Sequence, residues 1–135
     1  MNIYLDIDGV IITNNFQPAE HLGEFLKYIL ESHNVYWLTT HCKGDGSNAI
    51  TYLKQFLPNE LIELCEKIKP TNWQTLKTEA IDFSKDFLLL DDYLLEAEKE
   101  VLKNHEKLSS WIKIDYDKNY NQLLNLLLFK LRFIV

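Results

Sequence analysis

Short apolar runs recur along this chain at residues 2–7, 35–39, 87–90 and 111–114, and the stretches between them carry apolar residues at helical spacing. That alternation constrains the fold more than any other feature. Strands separated by amphipathic helices pair in parallel, because each crossover helix packs back onto the sheet, and the connections are right-handed. The first helical stretch is "QPAEHLGEFLKYILESH", with Pro18 suited to its first turn and Leu22, Phe25, Leu26, Ile29 and Leu30 on one face. After the second run, Ser47 is placed to cap a helix carrying Ile50, Leu53, Phe56 and Leu57, which Pro58 helps to stop. "ELIELCEK" reads as a short helix, "IKP" as a short strand and "NWQTLKTEAIDF" as a further helix. "YLLEAEKEVLKNH" and "NYNQLLNLLLFKL" are the last two helices.

The expectation is a single α/β domain over residues 1–135, Rossmann-like, with a central parallel sheet of about five strands and helices on both faces. A chain of 135 residues suffices for one core. Its formal charge of −6 disfavours sequence-independent binding to a phosphate backbone, so a nucleic-acid partner is allowed but not favoured. Cys42 and Cys65 make no disulfide framework, and the first residues lack the basic and apolar regions of a signal peptide. A cytoplasmic location is expected. The most apolar segment, "LLNLLLFKLRFIV", is shorter than the ~20 residues a membrane span needs and carries Asn125, Lys130 and Arg132. It reads as a core-facing helix, and no membrane partner is expected.

Polar groups gather at the ends of the apolar runs, where open parallel sheets bind ligands. Asp6 and Asp8 close the first run, two apart and so on one side of an extended chain, and Gly9 lets the backbone turn beside them. Two anions held together repel unless a cation compensates, which points to a hard, oxygen-preferring ion such as Mg2+. The second run ends in Thr39 and Thr40, hydroxyls able to bond a phosphoryl oxygen, before a glycine loop that leads into a helix N-terminus. "FLLL" ends in Asp91 and Asp92, and the cationic counterpart is Lys77 or Lys69.

DxDG, an apolar strand ending in Thr, a lysine and an apolar strand ending in DD, in that order over residues 3–92, resemble the haloacid dehalogenase superfamily of phosphohydrolases. The last strand and helix suit the same fold. The resemblance implies that Asp6 is a nucleophile forming an aspartyl-phosphate and that Asp8 is the general acid and base. It implies that Thr39 holds a phosphoryl oxygen and that Lys77 offsets charge on the nucleophile and the transferring group. It places Mg2+ on the Asp6 carboxylate, the Asp8 backbone carbonyl and one of Asp91 and Asp92, with Asp92 the preferred direct ligand. Lys69, in a "KP" pair, matches another form of the lysine motif; Lys77, in "WQTLKTEAID", matches the form of small members ending in DD. A carboxylate at position 8 is the phosphatase and phosphotransferase pattern, whereas dehalogenases lack it.

Family members choose substrates with cap domains, yet here the Asp8-to-Thr39 and Thr39-to-Lys77 segments are filled by core elements. Only "VIITNNF" is available as a small flap, so a capless enzyme with an open site is expected, which suits a hydrolase. The expected partner is a phosphorylated substrate, a small molecule or an accessible macromolecular end group. The alternatives are a polynucleotide or other end-group phosphatase and a catalytically silent binding module of the same fold. His41 lies where substrate contacts are expected, and Cys42 beside it is open to packing or contact. "DYDKN" at 115–119 imitates a calcium loop but has Tyr120 where Gly is needed and Leu126 where a Glu is needed. Trp37, Trp73 and Trp111 read as core residues rather than stacking platforms.

Overall fold

The computed structural model describes residues 1–131; residues 132–135, Arg132 among them, lie outside the described residues. Strands β1 (Asn2–Leu5), β2 (Asn34–Trp37), β3 (Phe87–Asp91) and β4 (Trp111–Lys113) form one parallel sheet in the order β2-β1-β3-β4. Helices α1 (Leu22–Ser32), α2 (Ser47–Leu53), α3 (Asn59–Cys65), α4 (Glu96–Asn104) and α5 (Gln122–Asn125) connect and flank the strands.

β1 and β3 are buried along their whole length, and their side chains divide by the strand period of two. Ile3, Leu5, Leu88 and Leu90 point into one core, shared with Leu22, Phe25, Leu26 and Ile29 of α1 and with Ile62 and Cys65 of α3. Tyr4, Phe87 and Leu89 point into a second core closed by Leu102 of α4. Helices therefore cover both faces. No described helix is long and apolar enough to cross a membrane.

Several local expectations are corrected. "IKP" is not a fifth strand: Lys69 donates to the Val35 carbonyl at 3.0 Å and accepts from the Trp37 N–H at 2.8 Å, a single bridge. Pro70 has no N–H to extend it. The expected helix over 72–83 shrinks to a 3-10 turn, Lys77–Ala80, because the Glu79 carboxylate accepts from the N–H groups of Gln74, Thr75 and Leu76 at 3.0, 3.2 and 2.8 Å. Those bonds hold the preceding residues in a loop instead of a helical ladder.

Pro18 is not in the first turn of α1. It bridges Ile12, and the Ala19 N–H donates to the Ile11 carbonyl, because burial of Val10, Ile11 and Ile12 doubles the segment 9–19 back on itself. α1 starts only at Leu22. Ser47 opens α2 without capping it, and instead gives its N–H and hydroxyl to the Asp45 carboxylate, both at 2.9 Å. α4 begins at Glu96 because the Tyr93 N–H is taken by Asp91 Oδ1 at 3.1 Å. α5 widens into a π-helical turn, Leu126–Lys130, with Leu126 and Leu127 packed on the core.

Candidate active site

β1 and β3 are hydrogen-bonded neighbours with Leu5 level with Leu90, and the Asp6 N–H donates to the Leu90 carbonyl at 3.0 Å. Asp6 and Asp91 therefore leave adjacent strands at the same carboxyl edge. The turn Lys77–Ala80 brings in the cation: Lys77 Nζ lies 3.7 Å from Asp6 Oδ2 and bonds directly to Asp91 Oδ2. Water barely reaches this group, since the side chains of Lys77, Asp6 and Asp91 are 12, 13 and 1% exposed. Lys69 is exposed and lies over the Tyr36 ring, away from the aspartates, so the structure selects Lys77 between the two candidate lysines.

Burial, then the charge of Asp6, pushes the Asp91 carboxyl up to about 8 against the pull of Lys77. Asp92 is raised by the same two causes. Burial works to lower Lys77, but Asp6 and Asp91 overcome it and hold the ammonium above its ordinary range. One cation thus faces three carboxylates, an imbalance that favours a further positive charge.

Asp6, Asp91 and Asp92 each offer an oxygen, all within 4.8 Å of one another. No protein-family model, curated protein or solved structure matches this chain. Three carboxylates without histidine or thiolate could hold a hard divalent cation. Gly9 makes room for Asp92. Its φ is +82°, and a Cβ there would lie 2.3 Å from Asp92 Oδ2.

Asp8 parts from Asp6 because β1 ends at Leu5 and the chain turns at Ile7, whose carbonyl accepts from the N–H groups of Val10, Ile11 and Ile12. The Asp8 carboxylate is not part of the three-oxygen cluster and has partners of its own. The Tyr52 hydroxyl donates to Oδ1 at 2.7 Å, and His41 Nε2 lies 2.9 Å from Oδ2. His41 and Tyr52 stack with centroids 3.9 Å apart at 14°. The bond to Asp8 pushes the Tyr52 phenol up to about 12, keeping it a donor at ordinary pH.

Thr39 is fully buried, its hydroxyl accepting from the His41 N–H at 3.4 Å, while Thr40 is exposed beside it. Cys42 is buried, its thiol raised chiefly by burial and donating to the Thr71 carbonyl at 3.7 Å, so it belongs to the packing of this loop. Trp37 is a fully buried core residue and Trp73 is nearly so. Trp111 is half-buried, and its indole N–H donates to the Asp91 carbonyl at 3.0 Å, bracing the end of β3.

Sequence reasoning missed Tyr52 and Glu98, and it read Trp111 as a core residue without its bond to the Asp91 carbonyl. Glu98 is 2% exposed and accepts from the Lys77 N–H and the Leu95 N–H, both at 3.0 Å, tying the lysine turn to the start of α4. A glutamate three residues after the start of "LEAE" is a signature of helix-start capping, which signals its local role but not its reach to Lys77.

Two cavities flank Gly9. One of about 340 Å³ is lined by Asp8, Gly9, Thr13, Asn14, Phe16 and Tyr52. The other, about 450 Å³, has Asp92, Asp115 and Tyr116 among its walls.

Proposed function

We propose that this chain is a Mg2+-dependent phosphohydrolase of the haloacid dehalogenase type, a small capless enzyme with a Rossmann-like layout that hydrolyses a phosphomonoester through an aspartyl-phosphate. The observation that carries the reading is the Lys77 ammonium, desolvated between Asp6 and Asp91 at the carboxyl edge of two parallel strands, with Asp92 completing a three-carboxylate cluster. A purely structural ion pair has no need of three clustered carboxylates, each costly to desolvate.

In this reading a carboxylate oxygen of Asp6 attacks phosphorus, the bond from phosphorus to the leaving oxygen breaks, and Asp8 gives that oxygen its proton. Asp8 then takes a proton from water. The water oxygen attacks phosphorus, the acyl-phosphate bond breaks, and inorganic phosphate leaves with the Asp6 carboxylate restored. Lys77 offsets charge near the attacking oxygen; the Asp6 carboxylate, the Asp8 backbone carbonyl and one of Asp91 and Asp92 would hold Mg2+, which would neutralise charge on the phosphoryl group. Tyr52 and His41 hold Asp8 at the rim, on the side where a leaving group sits. Thr40 and His41 are the accessible groups for phosphoryl oxygens, while the buried Thr39 hydroxyl accepts from the His41 N–H and orders that loop. Cys42 and Cys65 are both free, as suits the reducing cytoplasm.

The test is hydrolysis of an aryl phosphate by the parent and by Asp6→Asn, each with Mg2+ and with EDTA, at matched circular dichroism. Turnover that needs both Mg2+ and Asp6 is expected. Turnover that survives Asp6→Asn overturns the nucleophile assignment. A folded parent inert toward aryl phosphates and toward a panel of phosphomonoesters and phosphorylated end groups leaves the silent binding module.

A further inference from the structure

The segment 9–19 carries, in the turn that follows Thr13, an aromatic residue that its backbone does not favour. Phe16 has φ +58° and is 58% exposed, a conformation bulky residues rarely adopt and a ring that water does not favour. Its turn is built around Thr13, whose carbonyl accepts from the Phe16 N–H at 3.0 Å and whose hydroxyl accepts from the Asn15 and Gln17 N–H groups at 3.3 Å.

The ring is the outer step of a continuous aromatic series. Phe16 stacks on Phe56 with centroids 5.5 Å apart at 24°, and Phe56 meets Tyr52 edge-on at 5.2 Å. Tyr52 in turn stacks on His41 and donates to Asp8. The series therefore runs from the tip of the flap to the carboxylate assigned to the leaving oxygen. Phe16 and Tyr52 both line the cavity of about 340 Å³ that contains Asp8.

The walls of that cavity also say what does not enter it. Its lining residues are Asp8, Gly9, Thr13, Asn14, Phe16 and Tyr52, with no lysine or arginine among them. A leaving group carrying a second phosphate or a carboxylate meets only Asp8 and no cation. A planar, uncharged ring finds aromatic surface, with the Asn14 amide and Thr13 at hand for its polar edge.

We propose that this cavity is a subsite for the leaving group of the substrate, and that the substrate class is a phosphomonoester whose alcohol bears a planar, uncharged aromatic ring, such as a nucleoside. This rests on the phosphatase reading for its placement of the leaving oxygen at Asp8. Phe16 is then a specificity residue: it touches the ring and takes no part in breaking the bond to phosphorus.

Adenosine 5′-monophosphate and ribose 5-phosphate test it, because they share one primary phosphate ester and differ in the base. Binding of each to Asp6→Asn with Mg2+ is measured by calorimetry, and kcat/KM of each is measured with the parent. The nucleotide is expected to bind about tenfold tighter and to turn over with about tenfold higher kcat/KM, the weight of one ring stacked on an aromatic side chain. Phe16→Ala should bring the two probes within about twofold of each other, and Phe16→Trp should keep the preference. Equal binding of the two probes, binding of neither, or a preference indifferent to Phe16→Ala overturns the proposal. Equal turnover of the two overturns it while the phosphatase reading stands. A Phe16-dependent binding preference without turnover of either keeps the aromatic subsite and overturns the phosphatase reading for these esters.

Discussion

Gly9 and Asp92 share one space: a Cβ on Gly9 would stand 2.3 Å from Asp92 Oδ2 and 2.9 Å from its Cβ, and Gly9 also has φ +82°. Gly9→Ala is expected to cost roughly 1–3 kcal/mol from the backbone alone, with displacement of Asp92 added. Urea unfolding and Mg2+ titration measure the two effects. In an Asp92→Ala background the stability cost should shrink, since the carboxyl is gone while the backbone strain remains. An equal cost in both backgrounds would show that the close approach is unimportant.

Asp8 is held at both oxygens, by Tyr52 at 2.7 Å and by His41 at 2.9 Å. Asp8→Asn is expected to lower kcat by roughly 10²–10⁴-fold, the weight of a general acid and base. Tyr52→Phe should lower it by roughly tenfold, the weight of one hydrogen bond to a charged group. Steady-state kinetics at matched stability decide, and an unchanged kcat in Tyr52→Phe sinks the positioning role.

Asp91 has a folded-state value of about 8 against 3.8 in a free chain. Between those values the folded protein binds more protons than the unfolded one, so this group's contribution to stability is greatest at low pH and is lost as pH rises toward 8 and beyond. In EDTA, Asp91→Asn should therefore gain stability relative to the parent from pH 5 to pH 8.5. Mg2+ should raise the melting temperature of the parent more at pH 8 than at pH 5. A pH-independent difference between the two proteins refutes the shift.

Lys77 is the compensating cation for this buried group. Lys77→Met should cost up to about 3–5 kcal/mol once Asp91 is ionised, the penalty of an uncompensated buried charge. The loss should be smaller near pH 6 than near pH 9, because burial raises Asp91 and fewer of its carboxyls are ionised at the lower pH, and it should be reduced in Lys77→Met/Asp91→Asn. Denaturant unfolding in EDTA at pH 6 and pH 9 reads both effects.

Glu98 accepts from two backbone N–H groups, those of Lys77 and Leu95. Glu98→Ala leaves both donors without their partner, at about 1–3 kcal/mol each if they stay dry. Glu98→Gln keeps one carbonyl oxygen and should recover part of that stability. Because Glu98 sets the lysine turn, kcat should fall in Glu98→Ala with KM little changed, which a merely structural residue would not produce.

Much of the frame was legible in the sequence. The runs at 2–7, 35–39, 87–90 and 111–114 contain the four parallel strands; for the central pair, β1 and β3, a strand buried on both faces must be apolar on both, and that requirement is visible without a partner. The spacing of Leu22, Phe25, Leu26 and Ile29 likewise marks the buried face of α1. "IKP" and the 72–83 stretch were misread, since one bridge to Tyr36 and one carboxylate at Glu79 outweigh local propensity.

The sequence by itself determined that carboxylates end the apolar runs at 2–7 and 87–90 and that a glycine follows the first of them. Chain connectivity puts those residues at strand ends wherever the strands lie. Only the tertiary structure decided that Lys77 rather than Lys69 meets Asp6 and Asp91, that Tyr52 and His41 hold Asp8, and that Glu98 anchors the lysine turn. Those contacts join residues from 14 positions apart, Lys77 and Asp91, to 71 apart, Lys77 and Asp6. Local pattern reports what each segment buries, but which polar groups meet across such separations is set by the packing of whole elements.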